Sequence, residues 1–126
     1  MENKCLYCYK EINSTELKTP AGIEGYHPKC SKIFYGNSTP PALDFTEDQI
    51  LELAEQVIKS QRTVTGVQPK LSLGLSNEID ATERFTIVGL FGGYILKPQT
   101  SLYSILPEIE DLTMHLAEIS KIKTVQ

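Results

Sequence analysis

The chain has 126 residues and a net charge of −4, from 12 Lys and Arg against 16 Asp and Glu. With 40% hydrophobic and 22% charged residues it has an ordinary globular balance, which excludes wholesale disorder and suits one domain with room for a small appendage. The mild acidity excludes a broad nucleic-acid-binding face, no run approaches the ~20 apolar residues of a membrane span, and the opening residues lack the apolar core of a secretory signal.

Three segments are expected: a metal-binding knuckle over 1–36, a linker over 37–45 and a main fold over 46–126. The first holds all three cysteines. An odd cysteine count without a signal sequence fits a disulfide framework poorly and points to a reducing, cytoplasmic setting, where metal binding is the better reading. Cys5-Leu6-Tyr7-Cys8 is a Cys-x-x-Cys knuckle, and His27-Pro28-Lys29-Cys30 a His-x-x-Cys knuckle. Two short pairs of such ligands can close a tetrahedron around zinc, and four protein ligands leave no open position, so the site is expected to be structural. A redox Cys-x-x-Cys is the rival, but it requires a preceding strand and only four residues precede Cys5. Gly22 and Gly25 let the chain return between the knuckles. Ile12, Leu17, Ile23, Ile33 and Phe34 offer a thin core, with Tyr7, Tyr9, Tyr26 and Tyr35 available to fill it.

Ser38 to Pro41 are turn formers with two prolines, as a connector needs. Thr46 and Gln49 form a capping-box pattern, and Ile50, Leu53, Ala54, Val57 and Ile58 make one apolar helical face ending near Ser60. Thr63-Val64-Thr65-Gly66-Val67-Gln68-Pro69-Lys70 follows. Its backbone amides and Lys70 suit phosphate oxygens, yet it matches neither common Gly-rich phosphate motif and also reads as a plain turn. Leu71, Leu73 and Leu75 alternate with small residues; Phe85 to Val88 and Tyr94 to Leu96 are further strands, with a polar hairpin loop over Asn77 to Arg84. A second helix opens near Pro107, and Ile109, Leu112, Leu116 and Ile119 read as its buried stripe. The expected class is α+β, with a small antiparallel sheet and two helices behind the zinc knuckle.

Lys97 ends the last strand, and Glu110 lies thirteen positions on, near the start of that helix. A strand lysine braced by a helix glutamate is how protein kinases hold nucleotide phosphates; a solvated strand end beside a dipole-stabilising acid is the plainer alternative.

At these residues a family comes into view. Thr63–Leu73, Arg84–Gly89, Gly93–Pro98 and Leu106–Met114 together resemble the N-terminal lobe of HipA-like bacterial serine/threonine kinases, most closely a compact group that begins with such cysteine knuckles. The resemblance covers nearly the whole chain. It implies a kinase of a toxin–antitoxin module that uses ATP and magnesium on a protein target, paired with a HipB-like, DNA-binding antitoxin. It implies that Lys70, Lys97, Glu110, Gly66 and Gln68 contact or support the nucleotide, and that Thr63 or Thr65 stands where members carry a phosphorylated serine. Ile109 departs from the polar residue common there. The family's catalytic and magnesium-binding aspartates have no counterpart: Asp44, Asp48, Asp80 and Asp111 lie outside any kinase-like catalytic motif. The expectation is therefore a lobe inactive alone, needing a kinase C-lobe in cis or in trans, and exposing apolar surface prone to self-association. The alternative is a zinc-knuckle binding or regulatory module with no nucleotide.

Overall fold

The computed structural model describes residues 3–60, 70–77, 83–88, 92–100 and 102–125. Among them are four helices, α1 (Pro20–Ile23), α2 (Pro28–Tyr35), α3 (Glu47–Ser60) and α4 (Leu106–Ile119), and three strands, β1 (Leu71–Asn77), β2 (Glu83–Ile87) and β3 (Tyr94–Leu96). The architecture is α+β with a three-stranded antiparallel sheet in the order β2-β1-β3. No helix among the described residues is long and apolar enough to cross a membrane.

The chain forms two compact units: Met1–Ala42 with Asn77–Arg84, and Leu43–Ser76 with Phe85–Gln126. The first is built around Cys5, Ile12 and Cys30, with Tyr7, Cys8, Leu17 and Tyr26 packed against them. Ile23 and Ile33, expected in this core, are exposed instead. The cysteines supply the packing these two side chains would have given, since a buried Cys behaves as a small hydrophobe. A 3₁₀ turn over Glu16–Lys18 is held by Asn13, whose side-chain oxygen accepts from the amides of Thr15 and Glu16. Thr19 then caps α1 by accepting from the Gly22 amide at 3.1 Å. Gly22 has no room for a side chain, because a Cβ there would sit 1.9 Å from the Glu16 carbonyl oxygen. Gly25 turns the chain back with φ of 83°, a conformation that costs an L side chain about 1 kcal/mol or more. The connector is anchored to this unit. The Ser31 hydroxyl, fully buried, donates to the Asn37 carbonyl at 2.7 Å, Pro40 and Pro41 are buried, and the Ala42 amide donates to the Glu83 carbonyl at 3.0 Å.

In the second unit α3 starts as its sequence dictates. The Thr46 amide donates to Gln49 Oε1 at 2.9 Å, and the Gln49 amide donates to Thr46 Oγ1 at 3.3 Å, so both halves of the capping box form. Ala54 is buried, and Ile50 and Leu53 are half-buried. In the sheet, Leu71 and Leu73 are buried while Ser72 and Gly74 are not, the period of two expected of a strand with one covered face. β1 and β3 pair antiparallel, with Leu71 opposite Leu96, Ser72 opposite Ile95 and Leu73 opposite Tyr94. Phe85 of β2 meets Tyr94 of β3 edge to face, ring centroids 5.3 Å apart. Asn77, Glu83 and Arg84, read as hairpin loop from their polarity, are strand residues. The stripe Ile109, Leu112, Leu116 and Ile119 of α4, expected to be buried, is exposed. Periodicity states which side chains share a helix face, not whether another element covers that face.

Candidate functional site

Two constellations carry chemistry, one in each unit. In the first unit a short hairpin brings the first knuckle into position. Lys4 and Glu11 form an antiparallel bridge, the Cys5 amide donates to the Lys10 carbonyl, and the Tyr9 amide donates back to the Cys5 carbonyl. Tyr9 turns the chain with φ of 58°. The second knuckle is a helix start. His27 is the N-cap of α2, Pro28 occupies the first turn, and Cys30 lies one turn in. Sequence reasoning missed this helix, although Pro28 inside its start and Gly36 at φ of 80° past its end are its punctuation.

The ligand atoms of Cys5, Cys8, His27 and Cys30 all lie within 4.8 Å of one another. His27 Nδ1 is 3.4 Å from Cys8 Sγ and 3.7 Å from Cys30 Sγ. Metal–ligand bonds of 2.0 to 2.3 Å in a tetrahedron set ligand–ligand edges of roughly 3.6 Å, so these separations suit one shared ion. The other ring nitrogen, Nε2, is 3.1 Å from the Glu11 carbonyl oxygen and donates to it when Nδ1 serves as the ligand. That outer contact fixes ring and tautomer, as metal-ligating histidines usually require. It is a backbone acceptor, so no side-chain signal announces it in the sequence. The four residues are thus compatible with a structural zinc ion, and the three thiols are free of disulfides.

Electrostatics agree with a cation. Burial opposes ionisation of Cys5, but amide hydrogen bonds from His27, Cys8 and Tyr7 outweigh it and lower its pKa from 9.0 to about 6. Burial, with the neighbouring Cys8 and Cys5, pushes Cys30 up to about 12. One thiolate forms readily, and its charge holds the proton on its neighbour; a divalent ion at the centre removes that conflict. His27 is raised: burial works against its charged form, but the Glu11 carbonyl and the charge on Cys5 favour it more.

In the second unit, Lys97 follows β3 directly and Glu110 lies in the second turn of α4; their side chains form a hydrogen-bonded ion pair. Both are about one-third exposed, so the pair adds little to stability, about 0.2–1 kcal/mol. Lys70 directly precedes β1 and Lys97 directly follows β3, at the end of the ladder where Leu71 pairs with Leu96. Lys70 is exposed, and two of the expected cations thus share one end of the ladder. Gly66, Gln68, Thr63 and Thr65 lie outside the described residues.

Comparison with known proteins adds one relative. A scan of protein families finds no match. A Haemophilus influenzae protein named "Putative kinase" is 28% identical over 114 residues, which is 90% of this chain and 30% of that protein. The chain therefore spans under a third of the length of the relative it resembles.

Proposed function

We propose that this chain is the N-terminal, ATP-phosphate-contacting portion of a HipA-like serine/threonine protein kinase, braced by a structural zinc ion on Cys5, Cys8, His27 and Cys30. The observation that carries the reading is the Lys97–Glu110 ion pair between a strand end and a helix. Phosphoryl transfer needs a cation on the nucleotide phosphates and a carboxylate to hold that cation still. Lys97 and Glu110 have these chemistries in contact, and Lys70 stands ready as a second cation. Gly66, Gln68 and the hydroxyls of Thr63 and Thr65 enter the reading on sequence alone. The similarity to the Haemophilus protein supports the kinase class. ATP with magnesium supplies the phosphoryl group when bound; the residues here bind and orient it. The catalytic aspartates come from a kinase C-lobe, in cis or in trans, and the setting is cytoplasmic with a HipB-like antitoxin as partner.

Calorimetry with magnesium and ATP tests this. Binding is expected once a kinase C-lobe completes the site, and Lys97→Ala should abolish it while leaving the melting temperature nearly unchanged, since the ion pair is worth at most about 1 kcal/mol. A folded chain joined to its kinase C-lobe that gives no heat at millimolar ATP rejects the phosphate-contacting role. A second reading, a zinc-knuckle binding module without nucleotide, is favoured by the exposed Leu6, Ile23 and Ile33 on the first unit. It predicts partner binding that is indifferent to Lys97→Ala.

A further inference from the structure

His27 meets the rest of its unit through the ring nitrogen that faces away from the thiols. Nε2 lies 3.1 Å from the Glu11 carbonyl oxygen and 3.9 Å from Oε2 of Glu16. The first distance is a hydrogen bond. The second is too long for one, but short enough for a carboxylate charge to act on the ring. Glu16 belongs to neither knuckle; it is the first residue of the 3₁₀ turn over Glu16–Lys18.

That carboxylate is held where it is. Asn13 Nδ2 donates to the same Oε2 at 2.6 Å, while Asn13 Oδ1 accepts from the Thr15 and Glu16 amides at 3.0 and 2.9 Å. The Glu16 carbonyl accepts from the Thr19 amide at 2.9 Å and from the Thr19 hydroxyl at 2.6 Å. Amide, carbonyl and carboxylate of one residue are all tied, although fixing a glutamate side chain costs rotamer entropy. The turn needs only the backbone bonds, so the clamp on the carboxylate is surplus to building it.

We infer that Glu16 is a positioning residue of the metal site: clamped by Asn13, its carboxylate stands behind the His27 ring and strengthens the hold of Nδ1 on a zinc ion. This rests on the reading of Cys5, Cys8, His27 and Cys30 as a structural zinc site and is independent of the kinase reading. The imidazole is the one neutral ligand of the four. When Nδ1 gives its lone pair to a divalent cation, the ring loses electron density and Nε2–H becomes more positive. An acceptor and a negative charge facing Nε2 oppose that loss and make Nδ1 the better donor. The Glu11 carbonyl supplies the acceptor and Glu16 the charge.

Zinc affinity of the 126-residue chain, measured at pH 8 by competition with a chromophoric chelator, tests the inference. Glu16→Gln keeps the size of the side chain and an oxygen to accept from Asn13, but removes the charge. It should bind zinc roughly tenfold more weakly, the lower end for the loss of such a contact. The absorption spectrum of the cobalt(II)-loaded chain should keep its shape in this variant, because the four ligands stay the same. Glu24→Gln, which neutralises an exposed carboxylate of the same unit, should bind as the parent does. The gap between parent and Glu16→Gln should narrow at about 1 M salt, where the screening length falls to about 3 Å; a role confined to the shape of the turn would show no such narrowing. A parent that binds no zinc rejects the metal site and this inference together. A parent that binds zinc with Glu16→Gln equally tight overturns the inference alone, as does an equal loss in Glu24→Gln or a changed cobalt spectrum in Glu16→Gln.

Discussion

At the scale of single residues, the candidate metal site is a set of groups that conflict until a cation joins them. Cys5 at about 6 and Cys30 at about 12 describe one negative charge accepted and a further one refused. The arrangement is costly without an ion, because three thiols and an imidazole bring their ligand atoms within 4.8 Å of one another. Elemental analysis of the purified chain should find about one zinc per chain, as a closed four-ligand site holds one ion. Cys8→Ser, which replaces a thiolate by a weak hydroxyl ligand opposite His27 Nδ1, should lose most of that zinc. A metal-free parent chain that is fully folded would refute the structural site.

Elements begin and end by local rules, and here the rules are mostly readable. The capping box of α3 uses side chains three positions apart and needs no knowledge of the rest of the fold. Thr46→Ala removes the acceptor for the Gln49 amide and should cost ~1 kcal/mol, seen as a lower thermal midpoint in circular dichroism. A change to a residue able to cap, such as Thr46→Ser, should leave the midpoint nearly in place. Pro107 marked the start of α4, and the alternation of Leu71 and Leu73 marked β1, for the same local reason. What the sequence left open is non-local. The exposure of Ile109, Leu112, Leu116 and Ile119 depends on what lies beside α4, and a repeat reads the same whether its partner is the chain's own sheet or another molecule. The contact of Lys97 with Glu110 was one of two equal readings, because thirteen residues of separation permit either. The two knuckles needed only spacing, yet the helical setting of Cys30 escaped notice, since α2 is short and half its first turn is ligand motif.

The whole molecule has two compact units with unlike cores. That of the second unit is aliphatic, with Ala54 of α3 and Leu71 and Leu73 of β1 buried. That of the first is Cys5, Ile12 and Cys30, so two of its three buried members are candidate metal ligands. Removing a zinc ion held there would take away the cross-link of the first unit and leave its core with thiols that repel one another once ionised, while nothing in the aliphatic core would be touched. Hydrogen exchange before and after treatment with a zinc chelator measures this directly, because local opening is read amide by amide. The amides of Ile12, Tyr26 and Ser31, donated to Asn3, Ala21 and His27 carbonyls, should lose protection. Those of the paired strands at Leu71 and Leu73 should keep theirs. Loss at both sets together would mean that the units unfold as one body, and loss at neither would mean that the first unit stands without its ion.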